Sequence, residues 1–341
     1  MKKKILIIAT FVIIITVVLS FTIFKNNFEM RKVKNTKNNI VFAMPFAPVS
    51  YPVLKMLDDG VFDEDGIKTE LVIWKTPDQL RALIAGKQGD FFAVPSNVAS
   101  MFYNKGLGVK LLNISIWKAI WLISRKNDKK TLADFKGEEI AMPFKGDMPH
   151  IVFMELAKKQ GLDPEKDFKL LYMPSPMDAA QRMIMRRVDN ALLIDPAVST
   201  VIEKSKSGLS SIVAPDIYRS VDIQKEWGRL YNSDNELPFA GIMAGSEILK
   251  NNKIVKKFIK EYKVATEWCM ANPKKTAKLV LKYIPQLDEK GVEEAMKNVV
   301  LKAVDSKNAR TRLENFFKVL HGSKPSLIGG KLPDNDFYFT N

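Results

Sequence analysis

The chain has 341 residues, of which 46% are hydrophobic and 27% charged, with Gly and Pro at ordinary levels. That is room for two domains with their own cores, and it excludes a disordered or collagen-like chain. One cysteine (Cys269) and two histidines (His150 and His321) exclude a disulfide framework and leave little for a histidine metal site or a Ser-His-Asp triad. The net charge is +15, but residues 1–37 hold eight Lys/Arg against one Glu, which leaves +8 spread over the body in short runs. No basic stripe with interleaved aromatics appears, so no nucleic acid is expected as a partner.

Lys2, Lys3 and Lys4 precede residues 5–24, an uncharged stretch whose polar members are Thr10, Thr16, Ser20 and Thr22. Such a stretch is long enough to cross a bilayer, and its basic start also fits a secretory signal. The expectation is an uncleaved membrane anchor, with a signal cleaved near Val18-Leu19-Ser20 as the alternative. Either way the body is exported and extracytoplasmic. Five Lys/Arg just after the segment run against that orientation under the positive-inside rule.

From residue 38 onward the most informative feature is an internal repeat. Ala43-Met44-Pro45-Phe46 recurs as Ala141-Met142-Pro143-Phe144, each at the end of a short apolar run that reads as a buried strand. Leu71-Val72-Ile73-Trp74 before Thr76-Pro77 is matched by Leu170-Leu171-Tyr172-Met173 before Ser175-Pro176. Asp90 and the run after it are matched by Asp189 and its run; Ser96-Asn97 then opens one helix and Asp195-Pro196 another. Each copy reads β-α-β-α-β. Thr76 with Gln79, and Ser175 with Asp178, have the spacing of helix N-caps, each followed by proline.

Alternation of this kind implies an α/β protein with two lobes, each a mostly parallel sheet flanked by helices. Residues 1–37 form the signal or anchor and a basic linker. Residues 38–125 plus 238–341 form lobe 1, and residues 126–237 form lobe 2. The last part, residues 246–320, reads as helices packing on lobe 1.

In open α/β sheets ligands bind beyond the carboxyl ends of the strands. The turns there nominate Phe46, Tyr51, Trp74, Ser96, Asn97, Lys145, Asp147, His150 and Asp195 as ligand contacts. Plainer roles stand beside these. Thr76 and Ser175 read as caps, and Ser96, Asn97 and Asp195 serve equally as caps. Phe46, Trp74 and Phe144 serve equally as core aromatics, and His150 as a solvated first-turn residue. Lys145, Asp147 and His150 crowd one polar turn where the first copy is apolar, so one lobe would grip the body of a ligand and the other its polar end. No arginine stands in the cleft turns.

Residues 38–320 resemble the NitT/TauT group of ABC transporter substrate-binding proteins. The resemblance rests on Asp134-Phe135-Lys136-Gly137, Gly161-Leu162-Asp163-Pro164, Val188-Asp189-Asn190 and Ile194-Asp195-Pro196, in that order and spacing. Residues 83–90 and 237–252 add the first-lobe step and the return strand. The resemblance implies a periplasmic-binding-protein-like (type II) fold. It implies a monomer without cofactor or metal that delivers a small molecule to permease and ATPase subunits by closing its cleft. Ile194-Asp195 replaces the family's Trp-Glu, and the apolar turns favour a heteroaromatic ligand such as a pyrimidine or thiamine precursor beside the family's sulfonate-like anions. An anchored sensor without transport is the second reading. An iron-dependent thiamine-pyrimidine synthase, which needs histidines and cysteines, is the third.

Overall fold

Proline ends the strands that matter. β1 (Asn39–Pro45), β3 (Phe91–Pro95) and β6 (Glu139–Pro143) are almost wholly buried and finish on a residue with no N–H to continue a ladder. The chain turns out of each sheet at that point. A computed structural model of the protein describes residues 39–206 and 216–340, and these form one compact unit.

Two sheets carry the described residues. The first has the order β11-β4-β10-β3-β1-β2 and the second β7-β6-β8-β5-β9. The remaining members of the first are β2 (Lys68–Trp74), β4 (Lys110–Lys118), β10 (Ala240–Ala244) and β11 (Val300–Asp305). The second adds β5 (Ile120–Ser124), β7 (Lys169–Met173), β8 (Asn190–Ile194) and β9 (Tyr218–Asp222). The repeat read from sequence is visible in this order: β2, β1 and β3 correspond to β7, β6 and β8.

The sheets are mixed, which corrects the expectation of mostly parallel ones. β1 pairs parallel with β2 and β3, and β6 with β7 and β8, but β10, β4, β11, β5 and β9 all pair antiparallel. The cause is where the chain crosses. β4 ends at Lys118, Ala119 spans to the other sheet, and β5 starts with Ile120 opposite Ile194, the last residue of β8. A strand arriving from the other lobe enters at the cleft and must run away from it, against strands that end there. β10 enters the first sheet the same way, with Ala240 opposite Pro95.

The crossings are tied together. Leu237 N–H donates to Trp117 O at 2.8 Å, and Phe239 N–H to Ile116 O at 3.0 Å. Gln224 is fully buried beneath them, its Oε1 accepting from Ala119 N–H (2.8 Å) and Ile120 N–H (3.1 Å) and its Nε2 donating to Ile120 O (3.0 Å).

Helices cover the sheets: α1 (Tyr51–Asp58), α2 (Pro77–Ala85), α3 (Ser96–Asn104), α4 (Met148–Lys159), α5 (Pro176–Ile184), α6 (Ala197–Ser205) and α7 (Ile223–Tyr231). The C-terminal part holds α8 (Asn252–Ala271), α9 (Pro273–Tyr283), α10 (Glu289–Asn298) and α11 (Ser306–Ser323). It is not purely helical, because β11 lies between α10 and α11. Nor does it pack on the first lobe alone. α10 lies against α6 of the second, so closely that a Cβ on Gly291 would sit 2.2 Å from Thr200 Oγ1.

The anchor and the membrane as partner need correction. Residues 5–24 lie outside the described residues, and among the described residues no helix is long and apolar enough to cross a membrane. The anchored location is withdrawn.

Candidate functional site

The turns that follow the proline-ended strands of both sheets enclose one cavity of about 220 Å³. Phe46, Trp74 and Phe239 wall it from the first lobe, and Phe144, Met148 and Met177 from the second. The prolines that end β1 and β3 line it too, as do those that open α2, α4 and α5. This surface is overwhelmingly apolar. Both Ala-Met-Pro-Phe copies open onto it.

Of the nominated residues, Phe46, Trp74, Asp147 and Asp195 line the cavity. Tyr51 is fully buried, and its hydroxyl has no hydrogen-bond partner among the described residues. Burial raises its pKa well above the ordinary value, with the nearby Asp195 acting in the same direction. Ser96 and Asn97 face the protein. Ser96 Oγ donates to Pro238 O at 2.6 Å, and Asn97 Nδ2 donates to Leu327 O at 3.2 Å in the C-terminal tail. Lys145 is exposed, its ammonium 4.4 Å from the centre of the Tyr172 ring.

His150 braces the turn instead of lining the cavity. Gly146 N–H donates to its Nδ1 at 3.2 Å, which makes Nε2 the protonated nitrogen in the neutral ring and directs it at the Tyr172 hydroxyl, also 3.2 Å away. Burial lowers its pKa, the Lys145 ammonium adds to that, and Glu165 opposes both. A histidine with a depressed folded pKa binds fewer protons than the unfolded chain, so its contribution is complete above the unfolded value and is lost as pH falls through the folded one. The parent is therefore expected to lose more stability between pH 7.5 and pH 5 than His150→Gln does. Urea titrations at the two pH values check this, and equal losses would remove His150 from the account.

Phe144 carries backbone strain. Its φ of 57° lies in the left-handed region, which an aromatic residue rarely adopts. Its N–H donates to Met173 O at 3.1 Å, and its carbonyl accepts from Asp147 N–H at 2.9 Å. The left-handed conformation disfavours any side chain by about 1–2 kcal/mol. Glycine, ordinarily the less stable choice, is thus expected to make Phe144→Gly about 1 kcal/mol more stable than Phe144→Ala. Denaturant midpoints of the pair decide it.

The missed residues are arginines. Arg81 lies one turn into α2, and a helical side chain leans back toward the N-terminus, which brings this one to the cavity wall. Its Nη2 makes a short ion pair with Asp147 Oδ1 of the other lobe. Asp147 sits at the N-cap of α4 but makes no side-chain cap bond, because its carboxylate is turned to Arg81. Burial raises its pKa, and Arg81 pulls it down. Asp195 is buried, with Oδ2 3.0 Å from Arg219 Nη1. Its Oδ1 accepts from Ser199 N–H at 2.9 Å and Ser199 Oγ at 2.7 Å. Burial raises its pKa, opposed first by Arg219 and then by Ser199. Three donors on two oxygens suit a carboxylate rather than an acid.

The family profile described as "NMT1/THI5 like" matches residues 48–276, most of the chain. The chain belongs to the NMT1/THI5-like family. No curated protein matches the sequence significantly. The fold of this NMT1/THI5-like chain is also that of an ABC transporter from Parabacteroides distasonis, at a TM-score of 0.72 and 18% identity over 89% of this chain and 99% of that one. The periplasmic aliphatic sulphonate binding protein SsuA from Escherichia coli superposes at 0.64 with 16% identity, over 89% and 96%. The alkanesulfonate-binding protein SsuA from Xanthomonas axonopodis pv. citri bound to MOPS gives 0.60 and 16%, over 85% and 94%. These likenesses show that the NMT1/THI5-like chain has the two-lobed α/β fold of those solved proteins.

Proposed function

We propose that this cavity holds a small organic molecule with a flat, apolar body, and that the two lobes close on it outside the cytoplasm for delivery to an ABC permease and its ATPase. The observation that carries the reading is that one cavity takes its aromatic walls from both lobes, Phe46, Trp74 and Phe239 from one and Phe144 from the other. A ligand touching both walls interacts with the closed arrangement more than with an open one, which is the requirement for ligand-driven closure. Ala119 and residues 237–239 are the places where the chain bends, with Gln224 holding the first.

Buried aromatic contacts are commonly the dominant anchors of such sites. A thermal-shift screen of pyrimidines, flavins, sulfonates and carboxylates is expected to yield a ligand that raises the melting temperature; one present at a hundred times its Kd adds about 2.7 kcal/mol. Trp74→Ala should weaken that ligand at least tenfold, read by calorimetry. Binding that survives both Trp74→Ala and Phe144→Ala within twofold would place the site elsewhere.

A further inference from the structure

We infer that the ligand of this cavity is electrically neutral, an uncharged ring compound carrying N–H donors, because each acidic side chain on the cavity wall already has a guanidinium of the chain as its counterion. The inference rests on the cavity being the ligand site. Asp147 and Asp195 are its acidic lining residues, and Arg81 and Arg219 hold them. An anion that recruited Arg81 would strip Asp147 of its partner while that carboxylate is nine-tenths buried. A cation that recruited Asp195 would strand Arg219, and one that recruited Asp147 would leave Arg81 with only the exposed Asp78 carboxylate. A buried charge left unpaired is penalised more heavily than a new pair is rewarded.

Lys75 is the one cation on the wall without an ion partner among the described residues, and it is exposed at the edge, where water and salt screen it. What the wall does offer is ring faces and carboxylate lone pairs. A carboxylate accepts at about four positions, and Asp147 uses Oδ1 for Arg81 while Oδ2 receives no hydrogen bond from the described residues. An uncharged N–H reaches that oxygen without disturbing the ion pair.

The test uses matched pairs of nearly equal shape and different charge: nicotinamide against nicotinate, benzenesulfonamide against benzenesulfonate, and orotamide against orotate. Affinities for the full chain are measured at pH 7.5 by saturation-transfer NMR titration, with Trp74→Ala as the control for binding in the cavity. The neutral member of each pair that binds is expected to be at least tenfold tighter. Asp147→Asn, nearly isosteric, leaves Arg81 with only the exposed Asp78 carboxylate, 3.1 Å from its Nη1, and should shift the ratio toward the anion by tenfold or more. Arg81→Gln should shift it the other way, and the thermal melt of each variant reports that it folds. Trp74-dependent binding in which the anion equals or beats its neutral partner overturns the charge inference and leaves the cavity reading intact. Ratios unmoved in both variants overturn it as well. If no compound binds in a Trp74-dependent manner, the cavity reading fails and takes this inference with it.

Discussion

Gly241→Ala is expected to destabilise the protein by about 3 kcal/mol or more, at the top of the range for overpacking. The residue lies in β10, between β3 and β4, and a Cβ there would stand 1.9 Å from the main-chain oxygen of Asn113 and 2.8 Å from Ile114 Cα. Neither neighbour is a flexible side chain that could swing aside. β4 is pinned at this point, since Asn113 Oδ1 also accepts from Ile242 N–H at 3.2 Å. In ordinary strand surroundings the same change would add stability by restricting the unfolded chain, by about 0.4–1 kcal/mol. The sign of the effect is therefore informative, and a urea midpoint at or above the parent's would show that β4 does not press on β10. The consequence reaches the cavity, because Phe239 and Ala240 on its wall are the residues just before Gly241.

The features legible in the sequence were local ones. Thr76 and Ser175 accept from the N–H groups of Gln79 and Asp178, both at 3.3 Å, as their spacing implies. The repeated Ala-Met-Pro-Phe marks two strand ends that reach one cavity, because proline at a strand end leaves its mark in one residue type. Pairing direction was not legible. Nothing in residues 120–124 or 240–244 says that they enter a sheet from the opposite lobe. β11 was hidden for a different reason: residues 299–304 follow directly on a helix, and their β-branched character is short enough to pass for its last turn.

Long-range polar partners decide which of the turn residues face the cavity. Asn97 looks like a cleft residue until the C-terminal tail brings Leu327 O to it, more than two hundred positions later in the chain. Arg81 sits on the surface of a helix in every sequence-level respect. Its meaning comes from Asp147, which only the fold places opposite. No arginine stands in the cleft turns themselves, but a long side chain starting one turn into a helix reaches the same space.

The largest effect at the site is expected from Arg219→Met, which keeps the stem packed near the Trp121 ring, now 5.1 Å from the guanidinium, and removes the charge. Asp195 is then a buried carboxylate without a counterion, and breaking such a pair from one side destabilises by about 3–5 kcal/mol. Burial already raises the Asp195 pKa, and Arg219 is the foremost group holding it down, so the variant moves it further up. An acid whose folded pKa lies above its unfolded value binds protons more readily when folded. The penalty is therefore complete above the folded pKa and is relieved as pH falls toward the unfolded carboxylate range. Urea unfolding should show a larger deficit at pH 8 than at pH 5. Combining Asp195→Asn with Arg219→Met removes both charges, and most of the loss should return, because a pair deleted together leaves nothing stranded. A double variant as unstable as Arg219→Met alone would mean that the guanidinium acts through its packing on Trp121 and its contact with Ser199 Oγ at 2.7 Å, and that Asp195 does not depend on it for charge.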